Sequence, residues 1–208
     1  TDKLEIGLES RLFDNSIFYA SDGREQNILG NYIPTTTRFD YTRDIYSGYA
    51  TYGKTLEKWS YQIGLRAENV TLDSNAFKKD LASDEELLIP FENDYFELYP
   101  SAFFTYSPSE KNSYQLSYSR RIDRPGIGQV NPLPEFNTAL ISQFGNQQLL
   151  PQFTNSMEVN YTRKLEKGSI TAGVFYRIIE DEIQQAILID RTNTDRLILT
   201  NLNFDNTS

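Results

Sequence analysis

The stretch "WSYQIGLRAE", Trp59 to Glu68, alternates at every residue between an apolar side chain and a polar or small one. Its apolar set is Trp59, Tyr61, Ile63, Leu65 and Ala67. Successive side chains of a β-strand point to opposite faces, so this period of two predicts a strand with one apolar and one polar face. Which medium meets the apolar face is the question that decides the fold.

The same period of two recurs along the chain, and we find no helix-period segment of useful length. Residues 45–52 are strand-like, but Ile45 with Tyr49 and Tyr46 with Tyr52 favour opposite faces, so the orientation there stays open. Residues 183–190 and 195–204 are expected to pair as a hairpin. Further alternating segments lie at residues 4–9, 96–106, 113–119, 157–162 and 169–178. The chain is therefore predicted to be all-β, with about eight strands.

Composition excludes several classes of protein. The chain has 208 residues and a mean hydropathy of -0.54, and it lacks the run of roughly 18 apolar residues that a membrane-spanning helix requires. A net charge of -9 argues against a nucleic-acid partner. The sequence contains no His and no Cys, which removes the commonest general base and the commonest transition-metal ligands.

Searches for catalytic and metal-binding motifs find nothing. There is no nucleophile elbow, P-loop, dinucleotide fingerprint or zinc-protease motif. The acidic runs at residues 83–86 and 180–182 lack the spacing and the central Gly of an EF-hand. We therefore predict that the chain is not an enzyme and has no catalytic residue, cofactor or metal site. A carboxylate-based hydrolase has only the acidic composition in its favour.

The connections between predicted strands fall into two groups. "GKTLEK", "SPSEKN" and "KLEKG" are short polar turns, whereas about residues 13–41, 69–94 and 122–153 form long connections. In an antiparallel meander the two groups lie at opposite ends, which is typical of outer-membrane barrels. We predict strands of about 9 to 11 residues with their apolar face in lipid, and tyrosines near strand ends as interfacial girdles. The alternative is a soluble all-β binding module or adhesin, in which the apolar faces form a sandwich core.

Three landmarks appear in order: "YPS" at residues 99–101, "SYSRRIDRP" at residues 117–125, and a Gly-Asn/Leu/Pro loop before "TNSMEV" at residues 154–159. With them, about residues 36–180 resemble the barrel of Bacteroidetes-type TonB-dependent outer-membrane receptors, the outer membrane protein beta-barrel family. One departure is that Gln147 and Gln152 stand where the family's loop usually has Pro and Glu.

The resemblance implies an antiparallel, up-and-down transmembrane barrel of about 22 strands in the outer membrane of a Gram-negative cell. It also implies a plug domain and a segment that contacts TonB. Residues 1–208 are then expected to be an internal part of the barrel, with the plug, the signal peptide and the last strands elsewhere in the protein. The implied partners are membrane lipid, lipopolysaccharide, the plug, TonB and a nutrient, which is a metal chelate, a peptide or a glycan.

Seven residues are candidates for ligand binding at the lumen or loops. Arg66 and Glu68 lie on the polar face of their strand, where the alternative is an ordinary ion-pair ladder. Arg121 and Arg124 follow the strand of residues 113–119, where Arg121 is expected in the lumen and Arg120 outside, and loop anchoring is the alternative. The remaining candidates, Phe136, Phe144 and Asn146, lie in the long loop, which packs over the barrel mouth, on a partner or on itself.

Overall fold

The computed structural model describes residues 2–21, 34–134, 136–137, 140–191 and 194–205, without the side chains of residues 21, 136 and 137. Its elements in chain order are β1 (Asp2–Ser21), β2 (Thr35–Thr55), β3 (Trp59–Asp80), β4 (Glu86–Ser109), β5 (Asn112–Asp123), α1 (Ile127–Val130), β6 (Phe136–Asn137), β7 (Ile141–Gln143), β8 (Gln152–Leu165), β9 (Gly168–Glu180), β10 (Glu182–Ile189) and β11 (Leu197–Phe204).

Seven strands form one antiparallel wall in the order β1-β2-β3-β4-β5-β8-β9. Three connections at one end of the wall are short turns, at residues 56–58, 110–111 and 166–167, as the sequence predicts. Within the described residues the wall does not close into a barrel, because β1 and β9 are its two ends. The predicted antiparallel up-and-down sheet is confirmed.

A second, four-stranded sheet has the order β10-β11-β7-β6. The predicted hairpin of residues 183–190 and 195–204 is present as β10 and β11, but it leaves the wall and pairs with β7. The change of direction follows Asp181, whose φ of 54° lies in the left-handed region. Helix α1 has only four residues, and no helix in the described ranges is long and apolar enough to cross a membrane.

One face of the wall, called here the outer face, carries the alternating apolar residues. Ile63 is 58% exposed, Leu116 52% and Val174 76%. No second protein layer covers these rows within the described part of the chain. The sandwich alternative requires such a layer, so the structure does not support it.

An aromatic belt crosses the outer face near the short-turn end. The Trp59 and Tyr106 rings stack with their centroids 3.9 Å apart, and Tyr114 continues the row to Tyr161 at 4.9 Å. Tyr52 and Tyr61 extend it in the other direction. Aromatic rings with a polar tip collect at the boundary between hydrocarbon and water.

The four long strands β1–β4 correct one expectation. They contain 20 to 24 residues, about twice what crosses a membrane at a tilt. The described parts of the predicted long connections at residues 13–41 and 69–94 are therefore largely strand. The turn between β3 and β4 comprises only residues 81–85.

The reason is a change of phase within an unbroken strand. From Trp59 to Ala67 the apolar side chains of β3 point to the outer face. Beyond Glu68 the buried apolar residues are Val70 and Ala76, which point to the opposite, inner face. Pairing of β3 with β2 and β4 continues without a bulge through this change. In the sequence, such a phase change resembles the end of a strand. Here the strand continues, and its apolar residues face outward below Glu68 and inward, toward the protein core, above it.

The same change settles the orientation of residues 45–52. Tyr46 and Tyr52 point outward and are 53% and 39% exposed, while Ile45 points inward and is 2% exposed. Ile45 lies beyond the boundary and is buried on the inner face, whereas Tyr52 lies within the apolar band on the outer face. The sequence therefore shows apolar residues in both phases of the alternation.

Above the boundary the outer face becomes acidic. The register places Asp44, Thr71 and Asp94 in one cross-strand row. The next row contains Asp73 beside Glu92. The outer apolar band of β3 therefore spans about nine residues, roughly 25 Å at the usual barrel tilt.

The described core lies on the inner face of the extended part of the wall. Phe39, Tyr41 and Ala76 of the wall pack against three residues of the segment between β5 and β8: Val130, Leu133 and Leu149. The segment at residues 124–151 thus folds inward over the wall.

Candidate functional site

Arg66 and Glu68 lie two residues apart on the inner face of β3 and bind each other. Arg66 Nε donates to Glu68 Oε1 at 2.6 Å, and its Nη2 donates to Glu9 Oε2 at 2.7 Å and to Ser47 Oγ at 2.8 Å. The alternation of β1, β2 and β3 sends all four side chains to the same face. Arg66 therefore ties three neighbouring strands together.

Arg124 approaches the same carboxylate from the beginning of the 124–151 segment. Its Nη2 donates to Glu68 Oε2, and its Nε donates to the Tyr95 hydroxyl at 3.0 Å. Burial disfavours the charge of Arg124, but its hydrogen bonds to Glu68 and Tyr95 outweigh burial and raise its pKa. Arg124 is therefore permanently charged and locks the base of the segment to β3.

We call Glu9, Arg66, Glu68 and Arg124 the inner ionic cluster. Glu68 is only 3% exposed, and both its carboxylate oxygens accept from guanidinium groups. Because a buried carboxylate is costly unless it is paired and hydrogen-bonded, this geometry satisfies Glu68 completely. The cluster is the cross-strand ion-pair network that the sequence offers as the alternative to a cargo site, and a cargo contact there stays a prediction.

Arg120 and Arg121 lie on opposite faces of β5, as the alternation predicts. Arg121 pairs in register with Thr154 on the inner face and is exposed. It is not brought into the inner ionic cluster. Of the predicted residues, the structure brings together Arg66, Glu68 and Arg124.

Arg120 belongs to a polar group on the outer face, beyond the apolar band. Its Nη1 donates to Glu180 Oε2 at 2.9 Å, and its guanidinium carbon lies 4.4 Å from the Phe153 ring centroid. Asn155 donates to the other oxygen of Glu180 at 3.0 Å and accepts from the Tyr118 hydroxyl at 2.9 Å. The group ties β5, β8 and β9 together where they leave the band.

The 124–151 segment is held to the wall by more than apolar packing. Gln147 Nε2 donates to Ser74 Oγ at 3.3 Å. Gln152 Oε1 accepts from the backbone N–H of Ile183 at 3.0 Å, which connects β8 to β10. The two residues that depart from the family's usual loop therefore both make tertiary hydrogen bonds.

The three loop candidates have different surroundings. The backbone N–H of Phe144 donates to Leu199 O at 3.2 Å, and its side chain is half-buried. Asn146 Nδ2 donates to Asn201 O at 3.3 Å, while its Oδ1 accepts from Gln148 N at 3.0 Å. The backbone of Phe136 lies in β6, and its side chain falls outside the described residues. A ligand role for the three stays a prediction.

Gly145 explains how the segment turns back on itself. Its backbone N–H donates to Asn131 O at 2.6 Å. A Cβ at this position would lie 2.5 Å from Gln129 O and 2.7 Å from Asn131 N. Only glycine permits so close an approach of two backbones.

Two hollows border these groups on the inner face. A crevice of about 20 Å³ between the segment and the wall, beside Tyr41, Arg124 and Gln147, has room for a water molecule and not for a nutrient. A larger hollow of about 770 Å³ lies toward the short turns, with Lys3, Gln62 and Gln115 in its lining. Of these two inner-face hollows, the one toward the short turns is the one with room for another molecule.

Sequence reasoning missed several partners of the inner ionic cluster. Tyr95 and Tyr99 both contact Arg124. Tyr99 breaks the polar side of β4 in the alternation, and that irregularity was the available signal. Ser47 carries no comparable signal, because its contact with Arg66 depends on pairing between strands that are distant in the sequence.

Across the described ranges, no group of three or more His, Cys, Asp or Glu side chains is placed to hold a metal ion.

A long antiparallel wall, an uncovered apolar band about 25 Å tall, an aromatic belt and a polar inner face define the class of outer-membrane β-barrels. The whole chain, residues 1–208, matches the outer membrane protein beta-barrel family. This chain belongs to that family, and its place is the outer membrane.

Two solved structures are similar to this chain, and the first of them shares its fold. A double mutant of the Serratia marcescens hemophore receptor HasR, in complex with its hemophore HasA and heme, has a TM-score of 0.63 at 12% identity, over 99% of this chain and 38% of that one. The siderophore receptor PirA from Pseudomonas aeruginosa has a TM-score of 0.47 at 11% identity, over 96% of this chain and 45% of that one. This chain thus spans less than half the length of either. No curated protein matches the sequence.

Proposed function

We propose that this chain is part of the barrel wall of a TonB-dependent receptor that takes up a nutrient across the outer membrane. The observation that carries the proposal is the inward fold of residues 124–151, which places a structured cover on the inner face above the apolar band. A receptor must present a defined surface at its mouth, and this cover provides one. Membership of the barrel family supports the proposal.

In this proposal the residues of the wall act mainly by holding surfaces in place. The inner ionic cluster fixes the base of the cover, and β7 connects it to the β10–β11 hairpin. The cargo then meets the inner face and the exposed parts of the cover. Arg121, which is exposed on that face, is the candidate for a direct contact with an anionic group of the cargo.

The 770 Å³ hollow near the short turns is the place we propose for a plug domain. Its lining combines polar side chains such as Gln62 and Gln115 with Asp2, Lys3 and Lys54, and it also includes Tyr61 and Phe103. In this proposal the plug hydrogen-bonds to the polar part of the lining and rearranges when TonB pulls on it. The wall itself need not move.

Nutrient accumulation by the native organism tests the proposed function. We expect deletion of the gene to abolish accumulation of one nutrient among metal chelates, peptides and glycans, and a protonophore to abolish it equally in the parent strain. Unchanged accumulation of all three classes in the deletion strain would contradict receptor function. Accumulation that survives the protonophore would contradict dependence on TonB.

Arg120 and Arg121 provide a matched pair for the contact with cargo. We expect Arg121→Ala in the full-length protein to weaken binding of an anionic cargo by about 1 to 3 kcal/mol, the usual worth of a charged hydrogen bond. Arg120→Ala should leave the affinity unchanged, because Arg120 lies on the outer face beside Glu180. Titration calorimetry with the transported nutrient measures both. Equal effects of the two substitutions would remove Arg121 from the site.

A further inference from the structure

A notch of about 610 Å³ lies in the outer face at the upper edge of the apolar band. Its floor is the cross-strand pair of Gly48 and Ala67. Leu8 and Phe96, which are 88% and 61% exposed, rise beside the floor. Two small side chains between large ones leave a depression that no described part of the chain fills.

Gly48 has no local reason to be glycine. Its φ is not positive, and an added Cβ would meet only Leu8 Cδ2, at 3.4 Å. In contrast, a Cβ at Gly7 or Gly173 would collide with a neighbouring side chain, Tyr49 or Asn160. Glycine in the middle of a strand weakens the strand and often marks a place where another molecule comes close.

The position of the notch limits what can occupy it. The row below it contains Ala50 and Leu65, within the apolar band. The row above it contains Tyr46 and Asn69, and beyond that row the outer face becomes acidic. The occupant is therefore amphiphilic, with an apolar chain that points into the band and a polar end at Asn69.

We propose that the notch binds an acyl chain of lipopolysaccharide. It is continuous with the surface that faces lipid, and it lies at the end of the band opposite the short turns, which is the outer leaflet. Because the chain is already in hydrocarbon, its binding rests on van der Waals packing of methylene groups against Gly48, Ala67 and Leu8. The Asn69 amide and the Ser10 hydroxyl, which line the same notch, are available to the linkage at the head of the chain.

The test fills the notch in the full-length protein, extracted in mild detergent from its own outer membrane. Gly48→Leu and Ala67→Leu place a large side chain in the depression. Ala102→Leu is the matched control, because Ala102 is an outward-facing alanine of β4 that does not line the notch. Native mass spectrometry measures the lipid retained by each protein, and heat-dependent migration in gels verifies that each barrel is folded.

We expect the parent protein and Ala102→Leu to retain lipopolysaccharide, and both notch variants to retain at least several-fold less. Equal retention by all four proteins would overturn the assignment. So would retention of a phospholipid in place of lipopolysaccharide. A dimer that the notch variants dissolve would show instead that a second copy of the protein occupies the notch. A failed transport experiment would contradict the receptor function and would leave the lipopolysaccharide site untouched if lipid retention is normal. The two proposals can therefore be tested separately.

Discussion

Glu68 is the residue on which the inner face depends most. Its carboxylate accepts hydrogen bonds from Arg66 on its own strand and from Arg124 at the base of the 124–151 segment. Three guanidinium groups, including that of Arg11 beside Glu9, surround two carboxylates. Removal of one buried carboxylate therefore leaves positive charge without compensation, which is much more costly than loss of an exposed ion pair.

Glu68→Gln is expected to destabilise the wall by about 3 kcal/mol and to loosen the segment, since two half-buried guanidinium groups lose the charge of their shared partner. Glu97→Gln is the control, because Glu97 lies directly opposite Glu68 in register on β4 and is more exposed. Urea unfolding in detergent gives the free energies, and limited proteolysis reports the segment. If the two variants behave alike, the inner ionic cluster does not hold the segment.

Gly145 makes a second prediction at the residue scale. Gly145→Ala forces a methyl group against the backbone of Gln129 and Asn131, so we expect the turn to open and the cover to become sensitive to protease. Gly126→Ala is the control, because a Cβ there would meet only the end of a side chain, Gln129 Oε1 at 3.7 Å. Protease resistance of Gly145→Ala equal to that of the parent would contradict the close approach.

At the scale of the element, the long strands have two chemical halves. The lower half of β3 presents its apolar residues outward, and the upper half presents Val70 and Ala76 inward. The backbone is the same throughout, since pairing with β2 and β4 runs from one end to the other. The side of the strand that meets an apolar environment changes, while the backbone pairing stays the same.

Neighbouring positions in the upper half of β3 test this assignment. Val70 is 0% exposed, so Val70→Lys buries an unpaired charge and should destabilise the protein by more than about 3 kcal/mol. Thr71→Lys places the same charge in solvent beside Asp44 and Asp94 and should be neutral or slightly stabilising. Chemical unfolding compares the two, and a reversed order would mean that the phase of the strand is wrong.

The sequence predicts the lower halves of these strands well because lipid imposes a strict alternation on them. It fails at residues 69–80 because the apolar set changes face there and because Asp73, Ser74 and Asn75, which favour turns, stand within a continuous strand. In the upper halves, contacts with segments that are distant in the sequence determine which side chains are buried. The sequence of one strand does not show those contacts. For the same reason, Arg66 and Glu68 were identifiable from their spacing, whereas Ser47 and Tyr95 were not.

At the scale of the whole molecule, the wall is one sector of a barrel. Its ends, β1 and β9, have neighbours on one side only within the described chain, and we expect other strands of the full-length protein to pair with them. The 124–151 segment and the β10–β11 hairpin form a cover on the inner side of this sector. Lipid covers the outer face of this sector, and the polar inner face is the side on which we propose that cargo and plug lie.

The boundary on the outer face of β3 is the central claim, and cysteine labelling tests it most directly. This chain has no cysteine of its own, so single cysteines can be placed at Ile63 and Leu65 and at Thr71, Asp73 and Asn75 in the full-length protein in intact cells. A membrane-impermeant maleimide is expected to label positions 71, 73 and 75 and to spare positions 63 and 65. Labelling of position 63 as fast as position 73 would show that water, and not hydrocarbon, covers the apolar rows.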